Sequence, residues 1–72
     1  MSEKITIGQI GCGYWGPNVL RNFSAQSGCW VKCVAEINPE RQAYVRANFP
    51  RSEVVSDVDA LLSDSEIHAV IV

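Results

Sequence analysis

The sequence predicts an α/β fold, a doubly wound parallel sheet represented by its first four strands and three helices. Two observations predict it. Four short apolar, β-branched segments alternate with three segments of helical spacing. The last of the four, Ala69-Val70-Ile71-Val72, is apolar on both faces, as a central strand between two layers of helix must be. Right-handed crossovers in a βαβαβαβ chain give the strand order 3-2-1-4.

Each element has its own signals. The first strand is expected from about Lys4 to Ile10 and the first helix from about Trp15 to Gln26. Gly16, Val19, Leu20 and Phe23 follow the i, i+3, i+4, i+7 spacing of one helical face. Pro17 suits the first turn, where a missing N–H costs nothing, and Ser27-Gly28 ends the helix. The second strand spans about Trp30 to Glu36. Asn38 reads as an N-cap with Pro39 behind it, opening a helix to Asn48 that is expected to bury Ala43, Tyr44 and Ala47. Pro50 blocks its extension. Val54-Val55 is a short third strand. Asp57 caps a third helix expected to bury Val58, Leu61 and Leu62. In the order 3-2-1-4 the apolar fourth strand lies at an edge. Such an edge is an aggregation hazard, so the chain is expected to be the N-terminal piece of something longer.

Composition narrows the class. Seventy-two residues, 47% hydrophobic and 19% charged, suit one small globular unit. A net charge of -2 with scattered basic residues offers no footprint for nucleic acid. No apolar run approaches the roughly 18 residues of a membrane helix, and the N-terminus lacks a signal-peptide pattern. A cytoplasmic protein is expected. Cys29 and Cys33 are expected on one face of the second strand with Cα atoms about 13 Å apart, too far for a disulfide. One histidine, His68, is too few for a zinc site.

The chemistry gathers at Gly11-Cys12-Gly13-Tyr14-Trp15-Gly16, between the first strand and the first helix. Glycines at these spacings, with an acid twenty positions beyond, form the dinucleotide-binding fingerprint of a Rossmann fold. Gly11 permits the tight turn, Gly13 lets a diphosphate approach the backbone, and Gly16 lets helix pack on sheet. Free N–H groups near Tyr14 and Trp15 would face the phosphates, helped by the helix dipole. Glu36, ending the second strand, would accept hydrogen bonds from ribose hydroxyls and repel a 2′-phosphate, which favours NAD over NADP. Arg41 lies one turn into the second helix and reads as a surface residue near the adenine, with contact to a 2′-phosphate as the alternative. Tyr14 and Trp15 would line a nicotinamide pocket or pack on other parts of the protein. Cys12, beside a helix N-terminus, reads as a small side chain in a tight turn, with a reactive thiol as the alternative. His68 falls at the wrong end of the sheet for catalysis. Asp57 and Asp59 read as caps and first-turn charges.

With these residues in view, the chain resembles the glucose–fructose oxidoreductase, inositol dehydrogenase and MocA family. The matching segments are Ile10-Gly11-Cys12-Gly13-Tyr14-Trp15-Gly16-Pro17-Asn18, Leu20-Arg21-Asn22-Phe23 and Val34-Ala35-Glu36-Ile37-Asn38-Pro39-Glu40-Arg41. The stretch from Asp57 through Leu62, with Glu66 to Val72, is similar to the family's third helix and fourth strand. The Gly-Tyr-Trp-Gly-Pro-Asn run resembles the branch that oxidises sugar nucleotides at the 3-hydroxyl. Many relatives carry Asp at the positions of Glu36 and His68. The resemblance implies an NAD(P)-dependent dehydrogenase of sugars or sugar nucleotides, a homo-oligomer when complete. The family's Glu-Lys-Pro motif, catalytic lysine and substrate domain would lie beyond Val72. The 72 residues are therefore expected to hold cofactor and to be inactive alone. The alternatives are a non-enzymatic NAD sensor and, from its similar glycine loop, a methyltransferase binding S-adenosylmethionine.

Overall fold

A computed structural model describes residues 4–11 and 16–72. The elements run β1 (Ile5–Ile10), α1 (Gly16–Ser24), β2 (Cys29–Ala35), α2 (Pro39–Asn48), β3 (Glu53–Val55), α3 (Val58–Leu62) and β4 (Ala69–Ile71). The four strands are parallel and ordered β3-β2-β1-β4, the doubly wound arrangement that the alternation predicts. β4 stands at the edge beside β1, with Ala69 and Val70 exposed.

Helices cover both faces. On one, α1 and α2 supply Leu20 and Val45 to a cluster with Ile7, Cys29, Val31 and Val34; Phe49, Val54 and Ile71 pack at its margin. On the other, Leu61 of α3 meets Cys33 and Ala35, with Ile10, Val55 and Ile67 around them. Gly8 permits that second contact. A Cβ there would stand 2.7 Å from Leu61 Cδ2 and 3.1 Å from Ile67 Cδ1.

A bulge in β2 corrects one expectation. Ile7 pairs with Val31, but Gly8 pairs with Cys33, so Lys32 is an extra residue. An extra residue reverses the inside–outside alternation downstream of it. Cys29 therefore lies in the α1–α2 layer and Cys33 in the α3 layer, on opposite faces rather than one. Both are buried free thiols, and burial pushes the Cys33 thiol upward. The ammonium of the bulged Lys32 bonds Asp64 at 2.6 Å and Glu66 at 2.7 Å, tying β2 to the α3–β4 connection. Those carboxylate bonds raise the Lys32 pKa, and the hydrogen bonds that Asp64 accepts from the Lys32 ammonium and from the Glu66 N–H lower its own.

The helix faces differ in part from the pattern. In α2 the buried residue is Val45, while Ala43, Tyr44 and Ala47 are exposed. The inward seam runs through Gln42, Val45 and Phe49, whose spacing of three and four also satisfies a helical face, and the alanines lie rotated away from it. In α3 only Leu61 is buried; Val58 and Leu62 are exposed because this single short turn meets the sheet along one line. In α1 Leu20 is fully buried and Val19 half-buried, while Phe23 reaches the surface. α1 closes at Ser24, two residues before the expected end, and Gly28 instead accepts the Ile5 N–H at 3.0 Å.

Candidate functional site

The parallel register aligns the C-terminal ends of β1, β2 and β3 along one lip. Ile10 pairs with Ala35, and the Gly11 N–H donates to the Ala35 carbonyl at 2.8 Å. The Glu36 N–H donates to Val55 O at 2.8 Å. Gly11 and Glu36, twenty-five positions apart in sequence, thus leave neighbouring strands side by side. Gly11 has a φ of 86°, and among the described residues beyond its chain neighbours no heavy atom lies within 4 Å of where its Cβ would stand. The glycine is required by backbone conformation, not by a crowded neighbour.

α1 begins at Gly16, with Pro17 in its first turn and no acidic residue there. The first N–H groups of a helix lack partners within it, and its N-terminus carries partial positive charge. No first-turn carboxylate opposes an anion at this end. Cys12, Gly13, Tyr14 and Trp15 lie outside the described residues, so the expectations for these four rest on the sequence.

One buried side chain spans the ends of the turn. Gln9, the penultimate residue of β1, is 2% exposed. Its Nε2 donates to the Gly11 carbonyl at 3.0 Å and to the Gly16 carbonyl at 3.2 Å. Its Oε1 is buried and has no partner among the described residues. Reading the motif for glycines alone misses Gln9. The signal was the one amide in a mostly apolar strand, two positions before Gly11.

Glu36 is half-buried, and its Oε2 accepts the Asn38 N–H at 2.9 Å. Its carbonyl accepts from Gln42 Nε2. Asn38 in turn caps α2, its Oδ1 accepting the Glu40 N–H at 2.9 Å. The strand end, the acid and the helix start are one hydrogen-bonded unit, which orients the carboxylate at the lip. Arg41 is exposed on the first turn of α2, and its guanidinium makes no hydrogen bond or ion pair among the described residues.

The remaining polar groups have structural roles. Asp57 caps α3 by accepting the Asp59 N–H at 2.9 Å. His68 lies at the opposite end of β1 from the glycines, where its Nδ1 accepts the Thr6 N–H at 3.1 Å and its own N–H donates to Thr6 O at 2.8 Å. The Trp30 indole N–H donates to Thr6 Oγ1 at 3.2 Å. Among the described residues no cluster of three or more His, Cys, Asp or Glu could hold a metal, and no helix is long and apolar enough to cross a membrane.

A family model described as an oxidoreductase family with an NAD-binding Rossmann fold, GFO_IDH_MocA, matches residues 5–72. The chain belongs to this family. The GFO_IDH_MocA assignment agrees with solved structures of the same architecture. KijD10, a 3-ketoreductase from Actinomadura kijaniata in complex with TDP-benzene and NADP, is 26% identical with a TM-score of 0.82, covering 94% of this chain and 21% of that chain. Levoglucosan dehydrogenase, in complex with NADH and levoglucosan, is also 26% identical, with a TM-score of 0.65 over 94% of this chain and 20% of that one. Scyllo-inositol dehydrogenase from Lactobacillus casei, with NAD(H) and scyllo-inositol, shares the fold at a TM-score of 0.83 and 22% identity, over 94% of this chain and 20% of that one. No curated protein matches the chain significantly. The 72 residues span about a fifth of each of these solved chains. Membership favours the oxidoreductase reading of the glycine loop over the methyltransferase alternative.

Proposed function

We propose that the chain forms the dinucleotide-holding part of an NAD-dependent dehydrogenase or reductase acting on a sugar or sugar-nucleotide hydroxyl. The observation that carries the reading is the lip at the strand ends. It brings a positive-φ glycine, a helix N-terminus without first-turn acids and an oriented carboxylate to one edge of the sheet. This donor and acceptor set fits a nicotinamide dinucleotide. Backbone N–H groups suit the diphosphate and a carboxylate suits the ribose diol.

Gly11, Gly13 and Gly16 form the turn under the diphosphate, with Tyr14 and Trp15 beside it. Glu36 takes the adenosine ribose hydroxyls, and Arg41 lies toward the adenine. The bound cofactor supplies hydride transfer. The residues here bind and orient, and none is assigned a proton-transfer step. The 72 residues are inactive alone. Glu36 favours NAD, because a second anion facing its carboxylate is repelled. The sugar-nucleotide branch is supported by the Gly-Tyr-Trp-Gly-Pro-Asn run, and KijD10 was itself solved with TDP-benzene. The complete protein is cytoplasmic and homo-oligomeric, with no nucleic-acid partner.

The test is a titration of the 15N-labelled chain with NAD and NADP, followed by amide shifts. Saturable shifts at Gly11, Gly16 and Glu36, stronger for NAD, are expected. Binding of S-adenosylhomocysteine in place of NAD, or no binding to either dinucleotide, would overturn the reading. Sugar-nucleotide oxidation by the isolated chain would overturn its inactivity.

A further inference from the structure

We infer that Gln9 is a positioning residue for the dinucleotide, a brace that sets the span of the glycine turn before the diphosphate arrives; this rests on the NAD-binding reading above. Three observations converge on Gln9. Its side chain is almost wholly buried at the base of the turn. Its one amide nitrogen donates to both Gly11 O and Gly16 O, the residues where the turn leaves β1 and enters α1. Its oxygen, on the same carbon as that nitrogen, is buried without a partner among the described residues.

The physical consequence follows from donor chemistry. A carbonyl only accepts, so two carbonyls are held together only by a group with two donors, and a primary amide is the uncharged side chain that has them. Leaving an amide oxygen buried and unpartnered is costly. The amide is retained there for its donors, in a strand position where an apolar side chain would otherwise pack. Gln9 thereby occupies the Gly11 and Gly16 carbonyls, the two acceptors that flank the turn. Preorganisation of this kind acts on the diphosphate and not on the adenosine, which is held at Glu36 on the neighbouring strand.

Two variants test this on the chain: Gln9→Met, which keeps the length and removes both donors, and Gln9→Glu, whose protonated form keeps one donor and whose ionised form has none. Binding of NAD and of adenosine, which lacks the diphosphate, is measured by NMR titration across pH. Gln9→Met is expected to weaken NAD about tenfold, the loss of one to two neutral hydrogen bonds, with adenosine changed less than about twofold. Gln9→Glu is expected to approach the wild type at low pH and to lose NAD affinity as the carboxyl ionises, relative to the wild type at each pH. Equal binding of NAD by wild type and Gln9→Met overturns the inference. So does an equal loss for NAD and adenosine, which marks a merely structural role. If Gln9→Met does not fold, the Gln9→Glu profile decides, and a profile parallel to the wild type overturns the inference. A wild-type chain that binds no NAD overturns the functional reading itself, and the brace with it, a result distinct from normal wild-type binding with indifferent variants.

Discussion

Gly8→Ala tests how α3 is seated on the sheet. Gly8 lies in mid-strand, and a Cβ added there would stand 2.7 Å from Leu61 Cδ2, 3.0 Å from Leu61 Cγ and 3.1 Å from Ile67 Cδ1. The first contact is closer than any real Cβ tolerates, so Leu61 must move. Leu61 is 0% exposed and sits among Cys33, Ala35, Ile10 and Ile67, so it has little room to swing. Overpacking of this kind costs about 1–3 kcal/mol. In a domain of this size each kcal/mol lowers Tm by roughly 4–8 °C. Leu61→Ala alone should cost about 2–5 kcal/mol through the cavity it leaves. The double variant should cost less than the sum, because the new methyl enters the space vacated by the leucine. A coupling of about 0.5–3 kcal/mol in the relieving direction is expected. The assay is urea denaturation of the four proteins, or recovery of folding in the double variant if Leu61→Ala unfolds the chain. Additive costs, or a neutral Gly8→Ala, would refute the seating of α3 directly over Gly8.

Three further outcomes follow from the geometry. Gly11→Ala should destabilise by about 1–2 kcal/mol through its positive φ, since its Cβ meets nothing among the described residues, and Gly11→Asn should recover part of the loss because Asn tolerates that conformation; thermal melts compare the two. Glu36→Gln should keep the acceptor for the Asn38 N–H and so the fold, yet weaken NAD about tenfold and narrow its advantage over NADP, read by titration. Stability should fall at both pH extremes through the Lys32–Asp64 pair. The lowered Asp64 pKa contributes stability above the ordinary value of 3.8 that is lost as pH falls through the folded value. The raised Lys32 pKa contributes stability below 10.5 that is lost as pH rises through its folded value. Urea midpoints against pH should therefore flatten at both ends in Lys32→Met, leaving an alkaline slope from the buried Cys33 thiol.

The alternation of apolar segments and helical spacings determined the element order, the parallel sheet and the strand order 3-2-1-4, because crossover handedness leaves few other ways to wind such a chain. Caps were equally legible. Asn38 and Asp57 act within two residues of themselves, so their partners are local. Gly11 and Glu36 were legible from spacing, since the parallel register turns that spacing into adjacency. Leu20 and Leu61 face inward as their spacing predicts, but the inward sides of β2 and α2 were decided only by the tertiary structure. The extra residue at Lys32 reverses the faces of β2 and separates Cys29 from Cys33, and no local pattern marks it, because bulge and regular strand carry the same apolar run. The seam of α2 through Val45, rather than the alanines, depends on where β3 and Phe49 lie. Gln9 is the sharpest case. A lone amide in a mostly apolar strand has no assigned partner in sequence, and its two acceptors come together only when β1 and α1 meet across the turn.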